Sequence, residues 1–300
     1  MGRIDEALRR NSAEAGNAKG YLNTPNQKAF VAPWVALDAE PVQVVAAPSP
    51  GTLLDEPRRL AFSGFNPDWV HRLVVGREAD AQLVEQFRAL AALLHRVRVK
   101  ESPKVIMVTS ADAGEGKTLT AINLSLTLSE SYHQRVLLID ADLRRPSIRE
   151  VSQLGDAPGL SEGLKAASDK KLSVIALSDT LTLLPAGAPD PNPMSSLTSV
   201  RMRRIVDEAA ERFDWVILDA PPLGPVADAS LLSALADTSL LVVRAGRTAY
   251  SSVMKAVEAL GRDRIFGVVL NGVEPPDLPP HQRYYGGYQA STDTQTGRGD

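Results

Sequence analysis

A stretch of strand, loop and helix sequence at residues 105–118 constrains the fold of this chain more than any other feature. It begins with a β-branched apolar run, VIMVT, and continues through a glycine-bearing loop, SADAGEG, into a good helix sequence, KTLTAINLSLTLSE. Gly114 and Gly116 let backbone N–H groups crowd around phosphate oxygens, and the following helix presents the positive end of its dipole. The stretch therefore predicts a phosphate-binding loop.

Two side chains at the end of this loop suit a nucleoside triphosphate. Lys117 is expected to neutralise the β- and γ-phosphates, and the Thr118 hydroxyl is expected to ligate Mg²⁺. Ala111 stands where the general pattern G-x-x-x-x-G-K-[ST] has its first glycine. We predict that the nucleotide is bound by the following residues of the loop and of a later strand end: Ala113, Gly114, Glu115, Gly116, Lys117, Thr118, Leu119 and Asn271.

Composition excludes several other classes of protein. The 300 residues are 44% hydrophobic, which is enough for a large α/β core with an appended segment, and the chain contains no cysteine for disulfides, thiolate metal sites or a Cys nucleophile. The net charge of −3 includes no basic block, so no nucleic-acid partner is expected. No apolar run approaches the roughly 18 residues of a membrane span, and the N-terminus lacks a signal-peptide core. We therefore expect a cytoplasmic protein that reaches a membrane only through a partner or a surface patch.

The chain is expected to divide into three regions. Residues 1–75 carry seven prolines without sustained periodicity, which favours a mostly disordered linker. Within it, residues 3–10 have the spacing of a short amphipathic helix, which is equally typical of a solvated, fraying helix. Residues 76–272 are predicted to be a P-loop kinase or ATPase domain that opens with a helix at 77–99. Residues 273–300 are predicted to be a flexible tail that carries tyrosines.

The central region alternates between strand and helix patterns. Strands are predicted at 105–109, 136–139, 181–184, 215–218, 239–243 and 266–270. Helices are predicted at 117–130, 160–167, 197–212, 227–236 and 250–261. Continuous apolar runs such as VLLI and WVIL are typical of central parallel strands. The predicted fold is therefore α/β: a mainly parallel sheet with helices on both faces, as in P-loop NTPases, preceded by a largely disordered N-terminal segment.

Polar residues follow four of the predicted strands, namely Ser110, Asp140, Asp219 and Asn271. Ligands of such sheets bind outside the carboxyl ends of the strands, so these side chains are expected at the edge that carries the phosphate loop. Any one of these aspartates could also be a helix N-cap or a turn former. Asp219 is expected to serve the Mg²⁺ ion directly or through water.

Asp140 and Asp142 form a second acidic pair, which a nucleotide site needs only if it also positions or deprotonates a nucleophile. A tyrosine hydroxyl, with a pKa of about 10, would benefit from such a base. Arg144 and Arg145 could clamp phosphate or pair with these acids.

Several motifs together match a known family. They are TSADAGEGKT, LLIDADLRRP, FDWVILDAPP followed by Asp228-Ala229, the shorter GLSEGL and LPAGAPDPNP, and a tyrosine-bearing tail. On these motifs the chain resembles, over about residues 82–289, the bacterial tyrosine autokinases (BY-kinases) of capsule and exopolysaccharide export, in their stand-alone cytoplasmic form. LLIDADLRRP is the most specific of them, since a general P-loop enzyme has no reason to carry it.

The resemblance implies the roles of individual residues. Lys117, Asp140 and Asp142 would be catalytic, with Asp140 or Asp142 assisting deprotonation of tyrosine. Thr118, Asp140 and Asp219 would hold Mg²⁺ beside ATP. The phosphate acceptors would be Tyr284, Tyr285 and Tyr288, modified between neighbouring subunits. The implied partners are the cytosolic segment of a membrane polysaccharide co-polymerase (a chain-length determinant protein), a cognate tyrosine phosphatase and further copies of the chain.

The chain departs from the family in one helix and in its tail. Many members carry E-x-x-R-x-x-R in a helix that packs subunits into a ring, whereas here Glu85 and Arg88 are followed by Ala91. The tail has three tyrosines where many relatives have more. These departures keep open an assembly module that regulates chain length with little kinase activity. A nucleotide-switched ATPase of the septum-site or partition type is a further alternative, but such proteins usually carry a lysine where Asp112 stands.

Overall fold

The computed structural model describes residues 52–58, 64–76, 79–101, 103–155, 157–166, 170–224 and 227–273. The strands are β1 (Val105–Ser110), β2 (Val136–Asp140), β3 (Ile175–Ala176), β4 (Leu181–Leu184), β5 (Trp215–Asp219), β6 (Thr238–Arg244) and β7 (Ile265–Asn271). The helices are α1 (Pro67–Val70), α2 (Ala81–Glu101), α3 (Lys117–Glu130), α4 (Ile148–Val151), α5 (Leu160–Lys165), α6 (Met194–Leu197), α7 (Val200–Arg212), α8 (Asp228–Ser233) and α9 (Tyr250–Leu260).

The strands form one seven-stranded sheet in the order β3-β4-β2-β5-β1-β6-β7. Pairing is parallel from β4 through to β7, and β3 pairs antiparallel with β4. Every residue of β1, β2 and β5 is buried, as the continuous apolar runs of these strands predict. The carboxyl ends of β1, β2 and β5 therefore lie side by side at one edge of the sheet.

Helices cover both faces of the sheet, and alternate strand residues divide between two cores. Met107, Leu137 and Leu218 face one core, which includes residues of α5, α7, α8 and α9. Ile106, Leu138 and Ile217 face the other core, which includes residues of α2 and α3. This arrangement confirms the predicted α/β fold with a mainly parallel sheet between helices.

Several element boundaries differ from the prediction. Ser110, Asp140, Asp219 and Asn271 are the last residues of their strands rather than the residues that follow them. The two-residue strand β3 carries too little pattern to be predicted. The helix predicted at 197–212 is wrong as a single helix, because the Ser199 hydroxyl accepts a hydrogen bond from Met202 N (3.1 Å) and starts α7 separately from α6.

The predicted linker is wrong for its described residues, 52–58 and 64–75, which pack on the domain. Leu53 and Leu54 are buried, and their backbone N–H groups donate to the Glu208 carboxylate at 2.6 and 3.1 Å. Leu73 is fully buried, and Val74 N donates to Asn123 Oδ1 at 3.0 Å. Scattered prolines hid these short apolar pairs from an argument based on periodicity.

Other predictions fall on residues outside the described ranges. They are the short helix at 3–10, the greater part of the N-terminal region and the tail from residue 274 onward. In the described ranges, no helix combines the length and apolar character needed to cross a membrane.

Candidate active site

The phosphate loop joins β1 to α3 and requires glycine at two positions. Gly114 and Gly116 have positive φ angles of 79° and 94°, which other residues adopt only with strain. A Cβ on Gly116 would also lie 2.0 Å from Asn271 Nδ2, whereas a Cβ on Gly114 would meet nothing within 4 Å. Ala111 is buried, and its carbonyl accepts a hydrogen bond from Gly224 N (3.1 Å). The loop therefore has an alanine fixed in the core at its start and glycine at its two turning points.

Residues at the ends of β6 and β7 brace the phosphate loop from outside. Asn271 Nδ2 donates to the Glu115 carbonyl at 2.8 Å, and Arg244 Nη1 donates to the Gly114 carbonyl at 3.2 Å. The Glu115 side chain is buried, and its carboxylate accepts hydrogen bonds from Asp112 N (2.9 Å) and from the Thr248 hydroxyl. Glu115 thus joins the loop to the segment between β6 and α9. We call these two hydrogen bonds of its carboxylate the Glu115 brace.

Asp140 and Asp219 meet at the carboxyl ends of two neighbouring strands. They are register partners in the parallel pair of β2 and β5, and both are almost completely buried. Burial raises the pKa of Asp140 well above its ordinary value, and the nearby Asp219 carboxylate adds to the effect. Burial also raises the pKa of Asp219, although Lys117 opposes this shift. Two buried carboxylates this close together need a nearby cation to stabilise their charged forms.

Lys117, the first residue of α3, lies among three carboxylates. Its Nζ is 2.8 Å from Asp142 Oδ2 and 3.7 Å from Asp219 Oδ1. Burial works against the charged form of Lys117, but Asp219, Asp142 and Asp140 together raise its pKa above the ordinary value. Lys117 is therefore a firmly protonated cation among Asp140, Asp142 and Asp219. We call this end of β2 and β5, with its three carboxylates, the acidic edge.

The Thr118 hydroxyl lies beside Lys117 and contacts a residue that the sequence motifs did not indicate. Thr118 Oγ1 is 3.0 Å from Ser147 Oγ. Ser147 precedes α4, whose first residue, Ile148, donates its backbone N–H to Asp140 Oδ2 at 3.2 Å. The start of α4 therefore contacts both a predicted magnesium ligand of the loop and one of the acids.

The buried carboxylate oxygens at this edge suit a Mg²⁺ ion. Asp140 Oδ1 and both carboxylate oxygens of Asp219 are buried without a hydrogen bond of normal length, and Lys117 Nζ is 3.7 Å from Asp219 Oδ1. Mg²⁺ prefers oxygen ligands and usually takes one or two carboxylates together with substrate phosphates and water. Among the described residues, no three or more His, Asp or Glu side chains converge into an all-protein metal cage. The residues present therefore fit an ion that arrives with a nucleotide.

Arg144 does not pair with the acids of its own motif. Its Nη2 donates to Asp228 Oδ1 at 3.2 Å, and its Nη1 donates to the Pro191 carbonyl. The hydrogen bond to the buried Asp228 raises the pKa of Arg144. The alternative in which Arg144 pairs with Asp140 or Asp142 is therefore wrong. Arg145 is exposed, and its backbone N–H donates to Asp142 Oδ1 at 3.1 Å.

Helix α2, which departs from the family pattern, keeps the first two positions of that pattern at the surface. In α2, Arg88 Nη1 pairs with Glu85 Oε1 at 2.7 Å, and both side chains are about half exposed at 50% and 53%. Ala91 is completely buried. The third position of E-x-x-R-x-x-R therefore faces the core in this chain. The three predicted acceptor tyrosines lie outside the described residues.

A parallel sheet that carries this glycine loop, its lysine and a paired-carboxylate edge defines a P-loop nucleotide-binding protein. A sequence profile of the AAA domain family matches residues 103–262. The Tyrosine-protein kinase YwqD of Bacillus subtilis is 36% identical over 212 residues, which cover 70% of this chain and 87% of that protein. The chain belongs to the family of bacterial tyrosine-protein kinases.

A further relative agrees with this assignment, both in sequence and in structure. The Tyrosine-protein kinase etk of Escherichia coli is 35% identical over 205 residues, which cover 67% of this chain but only 28% of that longer protein. The solved structure of the kinase domain of Escherichia coli ETK superposes with a TM-score of 0.62 at 33% identity, covering 67% of this chain and 80% of that domain. The region of likeness is thus the P-loop domain rather than the whole of the longer relatives.

Proposed function

We propose that this protein is an ATP-dependent protein-tyrosine kinase that phosphorylates Tyr284, Tyr285 and Tyr288 of its own tail. The observation that carries the proposal is the number of carboxylates beside the phosphate loop, which exceeds what Mg²⁺ needs. Asp140 and Asp219 offer three buried oxygens without a hydrogen bond of normal length, and Asp142 adds a third carboxylate at 2.8 Å from Lys117. Binding ATP with Mg²⁺ requires fewer carboxylates than this, so the remainder is available to a nucleophile.

The nucleotide would be held by the backbone of the loop from Ala113 to Leu119, with Asn271 at its side. Mg²⁺ would be held by Thr118, Asp140 and Asp219, and when bound it supplies positive charge that offsets the charge of the phosphates. Lys117 supplies a second positive charge from the protein. The Glu115 brace keeps the loop's N–H groups in place before the nucleotide arrives.

In the proposed transfer, a tyrosine oxygen forms a bond to the γ-phosphorus while the bond from that phosphorus to the β,γ-bridging oxygen breaks, leaving ADP. The tyrosine proton passes to a carboxylate. Asp142 suits this role better than Asp140, because Asp140 is assigned with its register partner Asp219 to Mg²⁺, whereas Asp142 is not. Lys117 stabilises the negative charge that develops during transfer.

The proposal extends to a process and a partner. We propose that the phosphorylation cycle regulates polymerisation and export of an exopolysaccharide or capsule. The protein would act in the cytoplasm and dock on the cytosolic segment of a membrane chain-length determinant protein, and a cognate tyrosine phosphatase would reset it. Support for this step is membership of the bacterial tyrosine-protein kinase family.

A radiolabel experiment separates a kinase from a nucleotide-switched ATPase. The full-length protein is incubated with ATP labelled at the γ-phosphate and Mg²⁺, and label on protein is compared with label released as free phosphate. The proposal predicts alkali-stable label on the protein, as expected for phosphotyrosine. Release of free phosphate with unlabelled protein would support the ATPase instead.

A further inference from the structure

A second surface borders the acidic edge and is not explained by nucleotide binding. It follows β4, and we call it the proline ledge. Its exposed residues are Ala188, Pro189, Pro191, Asn192 and Met194, and Met194 keeps 45% of its surface exposed. None of these five is charged. Asp190, the one ionisable residue within the ledge, is buried and paired with Lys165 Nζ at 2.8 Å.

The ledge is held rigidly by the preceding helix. The carboxylate of Glu162 accepts hydrogen bonds from Gly159 N and Ala188 N, both at 2.8 Å. Leu160 N and Ser161 N donate to the Pro185 and Ala186 carbonyls, also at 2.8 Å. The two short motifs GLSEGL and LPAGAPDPNP therefore form one hydrogen-bonded unit. Such rigid support under an exposed apolar surface is typical of a binding platform rather than of a loose loop.

The same unit is joined to the two residues that follow Asp142. Asp190 N donates to the Leu143 carbonyl at 2.7 Å, and the Arg144 guanidinium donates to the Pro191 carbonyl. Leu143 and Arg144 immediately follow Asp142. A segment that lies on the ledge is thus brought next to the carboxylate that the proposed function assigns to the tyrosine proton.

We infer that the proline ledge is the docking surface for the segment EPPDLPPHQRYYGGY, residues 274–288, of a second copy of this chain. The inference rests on the proposed kinase function for its purpose. The segment has prolines and a leucine ahead of its tyrosines, so the composition of its first half suits an uncharged surface of proline and methionine. Arg145 is exposed and follows Arg144, which donates to the Pro191 carbonyl, and its charge is opposite to that of Glu274 and Asp277 of this segment.

Strand order indicates why a second copy is the occupant. The described chain leaves the sheet after β7, five strand positions from β4, a distance of about 24 Å. Tyr284 is eleven residues beyond Val273, so an extended tail reaches about 34 Å. If the molecule's own tail ran along this edge from β7, it would pass the ends of β5 and β2 before it reached β4. Its prolines would then lie over the acids and its tyrosines at the ledge. A tail that arrives from the β4 side places prolines on the ledge and tyrosines over the acids.

A binding measurement tests the ledge without any need for phosphotransfer. A fluorescent synthetic peptide of residues 274–290 is titrated with full-length wild-type, Met194→Glu, Met194→Ala and Leu93→Glu proteins. We expect Met194→Glu to weaken binding at least about fivefold, through lost apolar contact and an added like charge, and Met194→Ala to weaken it less. Leu93→Glu is the matched control, because Leu93 is equally exposed at 44% but lies on α2. Equal binding by wild-type and Met194→Glu, or no binding to wild-type, would overturn the ledge and leave the kinase proposal standing.

A mixing experiment identifies the source of the docked tail. One chain carries Lys117→Ala and an intact tail, and the other has an active site but phenylalanine at all three tail tyrosines. Met194→Glu is placed in one chain or in the other. We expect phosphorylation of the intact tail to fall only when the change is in the chain with the active site. A fall only when the change is in the tail-bearing chain, or no fall in either case, would contradict docking on a second copy.

Discussion

Lys117 Nζ lies 2.8 Å from Asp142 Oδ2 and 3.7 Å from Asp219 Oδ1, and the exposed fractions of the three side chains are only 11%, 6% and 0%. The lysine is therefore the cation that compensates a buried acidic edge, in addition to its expected role toward phosphate. Removing it leaves uncompensated carboxylates in a dry site, which is far more costly than removing a surface charge.

This relationship predicts the stability of a lysine variant. Lys117→Met is expected to lower the free energy of unfolding of the nucleotide-free protein by about 3 kcal/mol. Arg88→Met is the control, since its pair with Glu85 is half exposed and contributes under about 1 kcal/mol. Urea denaturation followed by circular dichroism measures both. Equal losses in the two variants would show that the buried pair has no special role.

The glycines of the phosphate loop should differ in their tolerance of a side chain. Gly114→Ala introduces only the strain of a positive φ, about 1–2 kcal/mol, whereas Gly116→Ala adds a clash with Asn271. We expect Gly116→Ala to weaken nucleotide binding more than Gly114→Ala does, as measured by isothermal titration calorimetry. Adding Asn271→Ala to Gly116→Ala should restore part of the affinity. A more severe effect of Gly114→Ala would contradict the structure.

The Glu115 brace should set the affinity for nucleotide. Glu115→Gln weakens the hydrogen bonds to Asp112 N and Thr248, and Thr248→Val removes the hydroxyl donor. Loss of a buried hydrogen bond to a charged group costs about 1.5–3 kcal/mol, so we expect Thr248→Val to weaken ATP binding roughly tenfold. Thr198→Val, which removes an exposed hydroxyl just after α6, is the control. Unchanged affinity in Thr248→Val would exclude the brace as a determinant of binding.

Glu162 should make the ledge sensitive to acid. Burial alone would raise the pKa of Glu162, but the N–H donors of Gly159 and Ala188 outweigh it and lower the pKa below its ordinary 4.5. Since the folded pKa lies below the unfolded one, the carboxylate stabilises the fold above about pH 4.5, and this contribution is lost as the pH falls through the folded value. Glu162→Gln should therefore be less stable than wild-type at pH 7, and the difference should shrink below pH 4.5. A difference that grows in acid would reverse this assignment.

The sequence predicted the sheet and the acidic edge because both follow from local pattern. Apolar runs identify parallel strands, and the carboxyl ends of parallel strands share an edge. The pattern therefore predicts that Asp140 and Asp219 lie close together. The same rule points to Arg244, which ends β6 as the register partner of Asn271 and was overlooked.

Other site residues carry no local signal. Thr248 reaches Glu115 across 133 residues of sequence, and Ser147 reaches Thr118 across 29. Serine and threonine in a loop are too common for the pattern to single these two out. Arg144 was a candidate partner of its own acidic motif, but the fold offers it the buried Asp228, 84 residues away. Such pairings depend on tertiary packing, which spacing alone does not contain.

Phosphosite mapping tests the central claim most directly. Full-length wild-type and Lys117→Ala proteins are incubated side by side with ATP and Mg²⁺, and modified residues are located by mass spectrometry. We predict phosphotyrosine at one or more of Tyr284, Tyr285 and Tyr288 in the wild-type protein and none in the variant. Absence of phosphotyrosine from the wild-type protein, even after addition of the cytosolic segment of the proposed membrane partner, would contradict the assignment of tyrosine as the acceptor.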